Sequence, residues 1–342
     1  MNNHFKQPVT PFPITSPCST AELVQKMGKT SFQARALANA VDIWGEMLKG
    51  EVTIYFGLTG AMIPAGMREV IVYLIENRLI DCLVSTGANL YHDLHETLGN
   101  FHYQGKHHVD DNALAHARVD RIYDVFLSEN EVEAEEEFIM DFAETLNLQR
   151  PYTTREFLNL IGHELIKKGK GNGILTAAAK ASMPVYSPAI ADSVYGTALA
   201  AGQVKRGKRL LFDVVKDVVE LTKLDVLSKT TAVIFVGGGT PKNFIQQAVL
   251  CGYLFDKELP GHDFAIQITT DSPQWGGLSG CTFEEARSWG KISEKARTST
   301  VYCEATIALP LIVSAVADIH AETIKKRKKP TFKLGEDLVV SF

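Results

Sequence analysis

The sequence predicts an α/β fold: a doubly wound, mostly parallel Rossmann-like sheet with an N-terminal helical extension. Three observations carry that expectation. Val52-Thr-Ile-Tyr-Phe56 is a β-branched and aromatic run ending in Gly57-Leu-Thr-Gly60. A helical stretch over 64–77 and a second run, Asp81-Cys-Leu-Val-Ser85, follow, closed by Thr86-Gly87. Strand, small-residue turn, helix and strand make a βαβ unit. Ala232-Val-Ile-Phe-Val236 is unbroken and apolar, as a strand covered on both faces requires, and meets a glycine triplet and a helix. Ligands of such sheets bind at the carboxyl ends of the strands, which makes Gly57–Gly60 and Thr86–Asn89 candidate ligand turns.

The remaining elements follow in order. Residues 1–19, punctuated by Pro8, Pro11, Pro13 and Pro17, read as an extended arm. From Thr20 to Leu48 the apolar spacing is helical. Between His92 and Glu144 the period fades. Six of the ten histidines fall there, and His92/His95 has HxxH spacing, but no third ligand is fixed and HExxH is absent, so no metal is expected. Glu131–Glu137 holds five acids in seven residues, the simplest reading being a solvated helix start. Helices are expected from Thr153/Thr154 to Lys168 and over Ala177–Met183, with a strand at Val185-Tyr186 and a strand-end turn at Ser187–Asp192. Gly237-Gly-Gly-Thr-Pro241 leads into a helix over Lys242–Cys251. Its glycines let backbone amides approach a phosphate, although the turn lacks the G-x-G-x-x-G spacing and also fits a tight turn needing small residues. Strands at Phe264–Ile268 and Thr300–Cys303 and a helix from Ala308 to about Ile319 complete a single domain over 20–324. The basic run Lys325–Lys329 opens a C-terminal tail, 325–342, read as a solvated helix end.

Bulk composition narrows the function classes. The chain has 342 residues, 45% of them hydrophobic, enough for a large core. A net charge of −5 argues against nucleic acid and against anionic membranes. No apolar run reaches 18 residues, so no membrane-spanning helix is expected. The five cysteines are odd in number and dispersed, which suits reduced thiols in the cytoplasm.

The stretch Gly276–Ile292 holds the most chemical promise. Thr282 and Glu285 have capping-box spacing, so a short helix should start at Thr282. Glu285 and Trp289, four apart, share its face, and Gly290 is a natural stop. Lys291 then stands beside an indole. A lysine removed from water favours its neutral, nucleophilic form, which can make imines. The alternative is an ordinary capped helix whose terminal lysine favours the dipole.

Four turns together, Gly237-Gly-Gly-Thr-Pro-Lys242, Glu285-Ala-Arg-Ser-Trp-Gly-Lys-Ile292, Val84-Ser-Thr-Gly87 and Ser187-Pro-Ala-Ile-Ala-Asp192, resemble deoxyhypusine synthase, with a flavour of its prokaryotic deoxyhypusine synthase-like branch. The resemblance runs from about residue 20 to residue 320. It implies a Rossmann-like domain assembled as a homotetramer, with NAD and spermidine in clefts at the dimer interface. It implies hydride transfer from spermidine to NAD, an imine on Lys291, and passage of the aminobutyl group to an acceptor amine. That acceptor is a lysine of translation initiation factor 5A or, in homospermidine-forming relatives, putrescine. Trp289 would pack the butyl chain and Glu285 would face the amine. Asn243, Gly276, Ser279 and His92 join them as substrate-binding candidates. Thr59, Thr86, Gly87, Asp192, Gly238, Gly239, Thr270, Glu304 and Ala305 would contact NAD.

The chain also departs from that pattern. Asn243 replaces a histidine, Thr197 and Leu278 replace acids, and Tyr91-His92 replaces a glutamate pair. Asp93, Asp271 and Glu285 are the acids expected to compensate in part. A non-catalytic NAD-binding scaffold is the competing reading, disfavoured by retention of Lys291, Trp289 and Glu285 together.

Overall fold

The computed structural model describes residues 7–276 and 281–342. Six strands form the central sheet. They are β1 (Val52–Leu58), β2 (Cys82–Ser85), β3 (Val185–Tyr186), β4 (Thr230–Val236), β5 (His262–Thr269) and β6 (Ile292–Tyr302). All pair in parallel, in the spatial order β3-β2-β1-β4-β5-β6. This is the doubly wound order, with its reversal between β1 and β4. The apolar runs explain the central position of these two strands: β1 is buried at every residue and β4 at all but its first.

Alternation along the strands splits the core in two. Ile54, Phe56, Leu58, Ile234 and Val236 face one side, where Trp44, Met47 and Leu48 of a long helix, Phe32–Lys49, cover them. Tyr55, Val233, Phe235 and Ala265 face the other. There α1 (Val214–Leu227) and α2 (Gly239–Leu250) supply Leu221, Leu224, Ile245 and Ala248. A burial of this kind contributes about 1.5–3 kcal/mol per large apolar side chain.

Four expectations need correction. The helical run from Thr20 is two helices, Thr20–Met27 and Phe32–Lys49, because Phe32 takes a positive φ of 58° at the break. The segment after His92 is not irregular. His92 lies within a helix, Gly87–Leu98, followed by a small antiparallel sheet of Tyr103–Gln104, Val119–Ile122 and Val125–Ser128. The acid-rich run lies within the helix Glu129–Glu144 and is not uniformly solvated: Glu135 is 1% exposed and accepts from Tyr91, His95 and Asn100. The basic run does stand at a helix end with Lys325, Lys326, Lys328 and Lys329 exposed, but its middle residue and the segment beyond are packed. Arg327 is buried against Asp81, and the hairpin Thr331–Leu334/Leu338–Ser341 seats Phe332 and Leu338 in the second core cluster. The arm to Ser19 does lack helix and strand over its described part, residues 7–19.

Candidate functional site

The parallel order gathers every expected cofactor turn on one edge of the sheet. Thr59 follows β1, Thr86 and Gly87 follow β2, Asp192 lies beyond β3, Gly238 and Gly239 follow β4, Thr270 follows β5, and Glu304 and Ala305 follow β6. At the β1/β4 reversal the turns are locked together. The Thr59 hydroxyl donates to the Val236 carbonyl at 2.7 Å and accepts from the Gly238 amide at 3.0 Å. Gly237 and Gly239 take positive φ values of 70° and 53°. A Cβ on Gly237 would fall 2.1 Å from the Thr59 hydroxyl, so only glycine fits. Gly87 is equally confined: a Cβ there would meet the Ser193 hydroxyl at 2.5 Å. Thr86 occupies the N-cap position of the helix Gly87–Leu98 with no side-chain cap bond, and its amide reaches the Leu58 carbonyl at 3.2 Å. Glu304 caps the helix Ala305–Ile319 through the Thr306 amide at 2.9 Å. Burial works against the charge on Glu304, but these cap bonds outweigh it and hold its pKa below the usual carboxylate value. Asp192 and Thr270 are exposed at their turns. The Gly237 and Gly238 amides are held by Ile268 and Thr59, so the start of α2 beside the reversal point is what this turn offers a nucleotide cofactor.

The lysine stretch forms as its spacing predicts. α3 (Phe283–Ser288) is too short to persist alone, and three features hold it. The Thr282 hydroxyl accepts from the Glu285 amide at 3.0 Å, and Phe283 and Ala286 are buried. Only this half of the capping box forms, since Glu285 projects into solvent. Trp289 is the C-cap and Gly290, at φ 72°, ends the helix. Lys291 Nζ then lies 5.2 Å from the centre of the Trp289 ring. Its backbone bonds Ala286 and His262 and so fixes it at the start of β6, not at the carboxyl edge. Its backbone therefore begins β6, at the other end of that strand from the turns that follow β1 and β2. Four strand steps separate β6 from β2, roughly 19 Å at the usual spacing.

The other substrate candidates divide. Asn243 is exposed on the second turn of α2 and Gly276 is exposed at φ 64°. Ser279 and the departure Leu278 lie outside the described residues. Asp271 lies with Thr269, Cys281 and Tyr302 around a cleft at the ends of β5 and β6. Asp93 cannot serve a substrate amine. It is fully buried, paired with Arg68 at 2.9 Å and bonded by the Ile174 and Leu175 amides. His92 is half-buried on its helix and bonds His102 at 2.9 Å.

Sequence reasoning missed three groups. Lys242, quoted only within its glycine motif, is buried between the rings of Phe235 and Phe283. It donates to the Gln267 carboxamide oxygen at 3.1 Å and the Cys281 carbonyl at 2.6 Å, while Gln267 donates to the Gly237 carbonyl at 2.9 Å. One ammonium thus ties the glycine turn to the cap of α3. Burial, helped by the charge of Lys291, pushes its pKa down to about 8. Glu136 was hidden in the acidic run. It accepts from Thr197 at 2.9 Å, so a carboxylate stands against the position where an acid had been expected. The third group is His102 with Glu96, which the faded period concealed. Among the described residues no cluster has a metal-binding arrangement.

Fold and site together define a doubly wound α/β protein with a carboxyl-edge cradle and a separate lysine–indole pair. A family model for deoxyhypusine synthase matches residues 22–316. A Methanosarcina mazei protein named "Probable deoxyhypusine synthase 2" is 47% identical over 317 residues, covering 92% of this chain and 90% of that one. An Archaeoglobus fulgidus protein of the same name is 48% identical over 310 residues, covering 90% and 99%. A crystal structure from Entamoeba histolytica assigned to deoxyhypusine synthase matches with a TM-score of 0.64 at 22% identity, covering 90% and 96%, and so shares the fold. The chain belongs to the deoxyhypusine synthase family, whose members are transferases.

Proposed function

We propose that the chain transfers a 4-aminobutyl group from spermidine to an acceptor amine through an imine on Lys291, using NAD. The pairing of Lys291 with Trp289 at 5.2 Å, with Glu285 on the same short helix, is the observation that carries this reading. An indole offers an apolar wall to a butyl chain, a carboxylate offers a partner to its ammonium, and the amine is the nucleophile. NAD would be held by Thr59, Thr86, Gly87, Asp192, Gly238, Gly239, Thr270, Glu304 and Ala305, and would supply the hydride acceptor. Lys242 holds α3 against the glycine turn, and Glu136 takes the place of the acid expected at Thr197.

The site needs a second copy of the chain. Lys291 stands apart from the β2 turn, and Trp275 and Trp289 are 79% and 61% exposed. Exposed indoles of this kind suit subunit contacts, in keeping with a homotetramer whose sites lie at dimer interfaces. The five free thiols support a reducing, cytoplasmic setting. A second reading, homospermidine formation with putrescine as acceptor, draws on Tyr91-His92 and Thr197, which change the acids that would recognise the substrate.

The test supplies labelled spermidine and NAD with either putrescine or initiation factor 5A. Label is expected to move to one of these acceptors, which also chooses between the two transferase readings. NAD binding without any transfer of label would favour the scaffold and reject the proposal.

A further inference from the structure

Lys242 stands on the first turn of α2 and is 1% exposed, yet it carries an ammonium between the Phe235 and Phe283 rings, 5.9 and 5.8 Å from their centres. A buried charge is costly unless its donors are used. Two bonds run from it in opposite directions. Through Gln267 at 3.1 Å it reaches the Gly237 carbonyl, one residue before the N-cap of α2. At 2.6 Å it reaches the Cys281 carbonyl, one residue before the Thr282 cap of α3. The back of α3 is fastened separately, by Arg287 to the Ser293 and Ala296 carbonyls of β6 at 3.4 and 3.2 Å. α3 in turn carries the lysine–indole pair. Trp289 is its C-cap, and the Lys291 amide donates to the Ala286 carbonyl at 3.0 Å. A shift at the front of so short a helix moves indole and amine together.

We propose that the Lys242 ammonium is the positioning group for the imine-forming pair: it holds the front of α3 so that Trp289 and Lys291 keep one reactive arrangement, and its deprotonation slackens that hold. This rests on the reading of Lys291 as the reactive amine given above. Charge is what makes the two bonds strong, since an ammonium donates about twice as strongly as a neutral amine. Its proton is within reach of ordinary pH. Burial, with the charge of Lys291 at the start of β6, lowers the Lys242 pKa to about 8, against the opposing pull of Cys281 and of Glu285 on α3. The neighbours on β4 and β5, Phe235 and Gln267, are uncharged. The hold is therefore complete below pH 7 and is lost as pH rises through 8. Small displacements of a nucleophile are expensive in rate, so the loss reads out in the chemistry of Lys291.

The test uses the full chain with butanal and cyanoborohydride, in the absence of spermidine and NAD, and maps the adduct on Lys291 by mass spectrometry from pH 6 to pH 9.5. Every amine gains nucleophilicity as pH rises, so the rate is divided by that of Nα-acetyllysine under the same conditions. The ratio is expected to be level to about pH 7 and to fall about tenfold by pH 9. Nitrogen NMR of lysine-labelled protein should show the Lys242 ammonium signal vanish over the same interval. Lys242→Met should give the low ratio at every pH, with no step. Gln267→Met leaves the Cys281 bond in place and removes one acceptor from the ammonium, so it should keep the step and move it to lower pH; it decides the matter if Lys242→Met does not fold. A ratio flat across pH 7–9, a step that does not follow the Lys242 titration, or a Lys242→Met ratio equal to that of the unmodified protein overturns the proposal. If the step is present but spermidine and NAD leave no adduct on Lys291, the positioning role stands and the transferase reading fails.

Discussion

Replacing Arg327 by methionine tests whether the C-terminal segment is part of the folded body. Arg327 and Asp81 are 1% and 0% exposed, and the guanidinium bonds both carboxylate oxygens of Asp81 and the Val52 carbonyl at 2.9 Å. Removing one partner of a buried pair costs about 3–5 kcal/mol, since the other charge is left uncompensated. Asp81 would keep Arg78 at 3.1 Å and the Ile54 amide at 2.9 Å, which places the expectation at the low end, about 3 kcal/mol. A chain of 342 residues unfolds with an entropy of about 0.7 kcal/mol per kelvin, so the Tm should fall by about 4 °C. Denaturant titration should show the same loss at an unchanged m-value, and adding Asp81→Asn should restore part of it. A midpoint shift worth less than about 0.5 kcal/mol, the range of ordinary surface substitutions, would refute the reasoning and return residues 325–342 to a solvated tail.

Three other outcomes follow from the geometry. Asp225 is fully buried on α1, and burial pushes its carboxyl up to about 7, with Tyr55 pulling it back only in part. Because the folded value is raised, its contribution to stability is present below the ordinary value near 3.9 and is lost as pH rises through 7. Asp225→Asn should therefore gain on the parent by an amount on the order of 2–4 kcal/mol between pH 4 and pH 8; equal differences in unfolding midpoint at the two pH values would count against it. Gly237→Ala forces a Cβ into the Thr59 hydroxyl at positive φ, so titration calorimetry should show NAD affinity down at least tenfold, and unchanged affinity would mean the cradle lies elsewhere. Glu136→Gln should raise KM for spermidine about tenfold with kcat nearly constant, the signature of lost uniform binding; an unchanged KM would remove Glu136 from the substrate slot.

The legible parts of this chain are those written by unbroken apolar runs. Val52–Phe56 and Ala232–Val236 could only be central strands, and once the sheet is parallel its turns must share an edge. Trp289, Gly290 and Lys291 were equally readable, because a cap, a stop and a spacing of two residues are local. The contact between His92 and His102 was not readable: the rings meet only because a loop folds back over the helix Gly87–Leu98. Glu135 and Arg327 were misread for a related reason. A charge run looks solvated until tertiary packing selects one member for burial, and no local pattern marks which. Lys242 escaped because its motif draws attention to glycines, while its role depends on Gln267 and Cys281, 25 and 39 residues away. The separation of Lys291 from the turns of β2 was also beyond sequence, since spacing along a chain carries no distance across a sheet.

Borohydride reduction in the presence of spermidine and NAD, followed by peptide mapping, captures the proposed imine itself. One stable aminobutyl adduct is expected, on Lys291, dependent on NAD and lost in Lys291→Ala together with turnover. Full turnover by Lys291→Ala, or an adduct mapped to a different lysine, would contradict it.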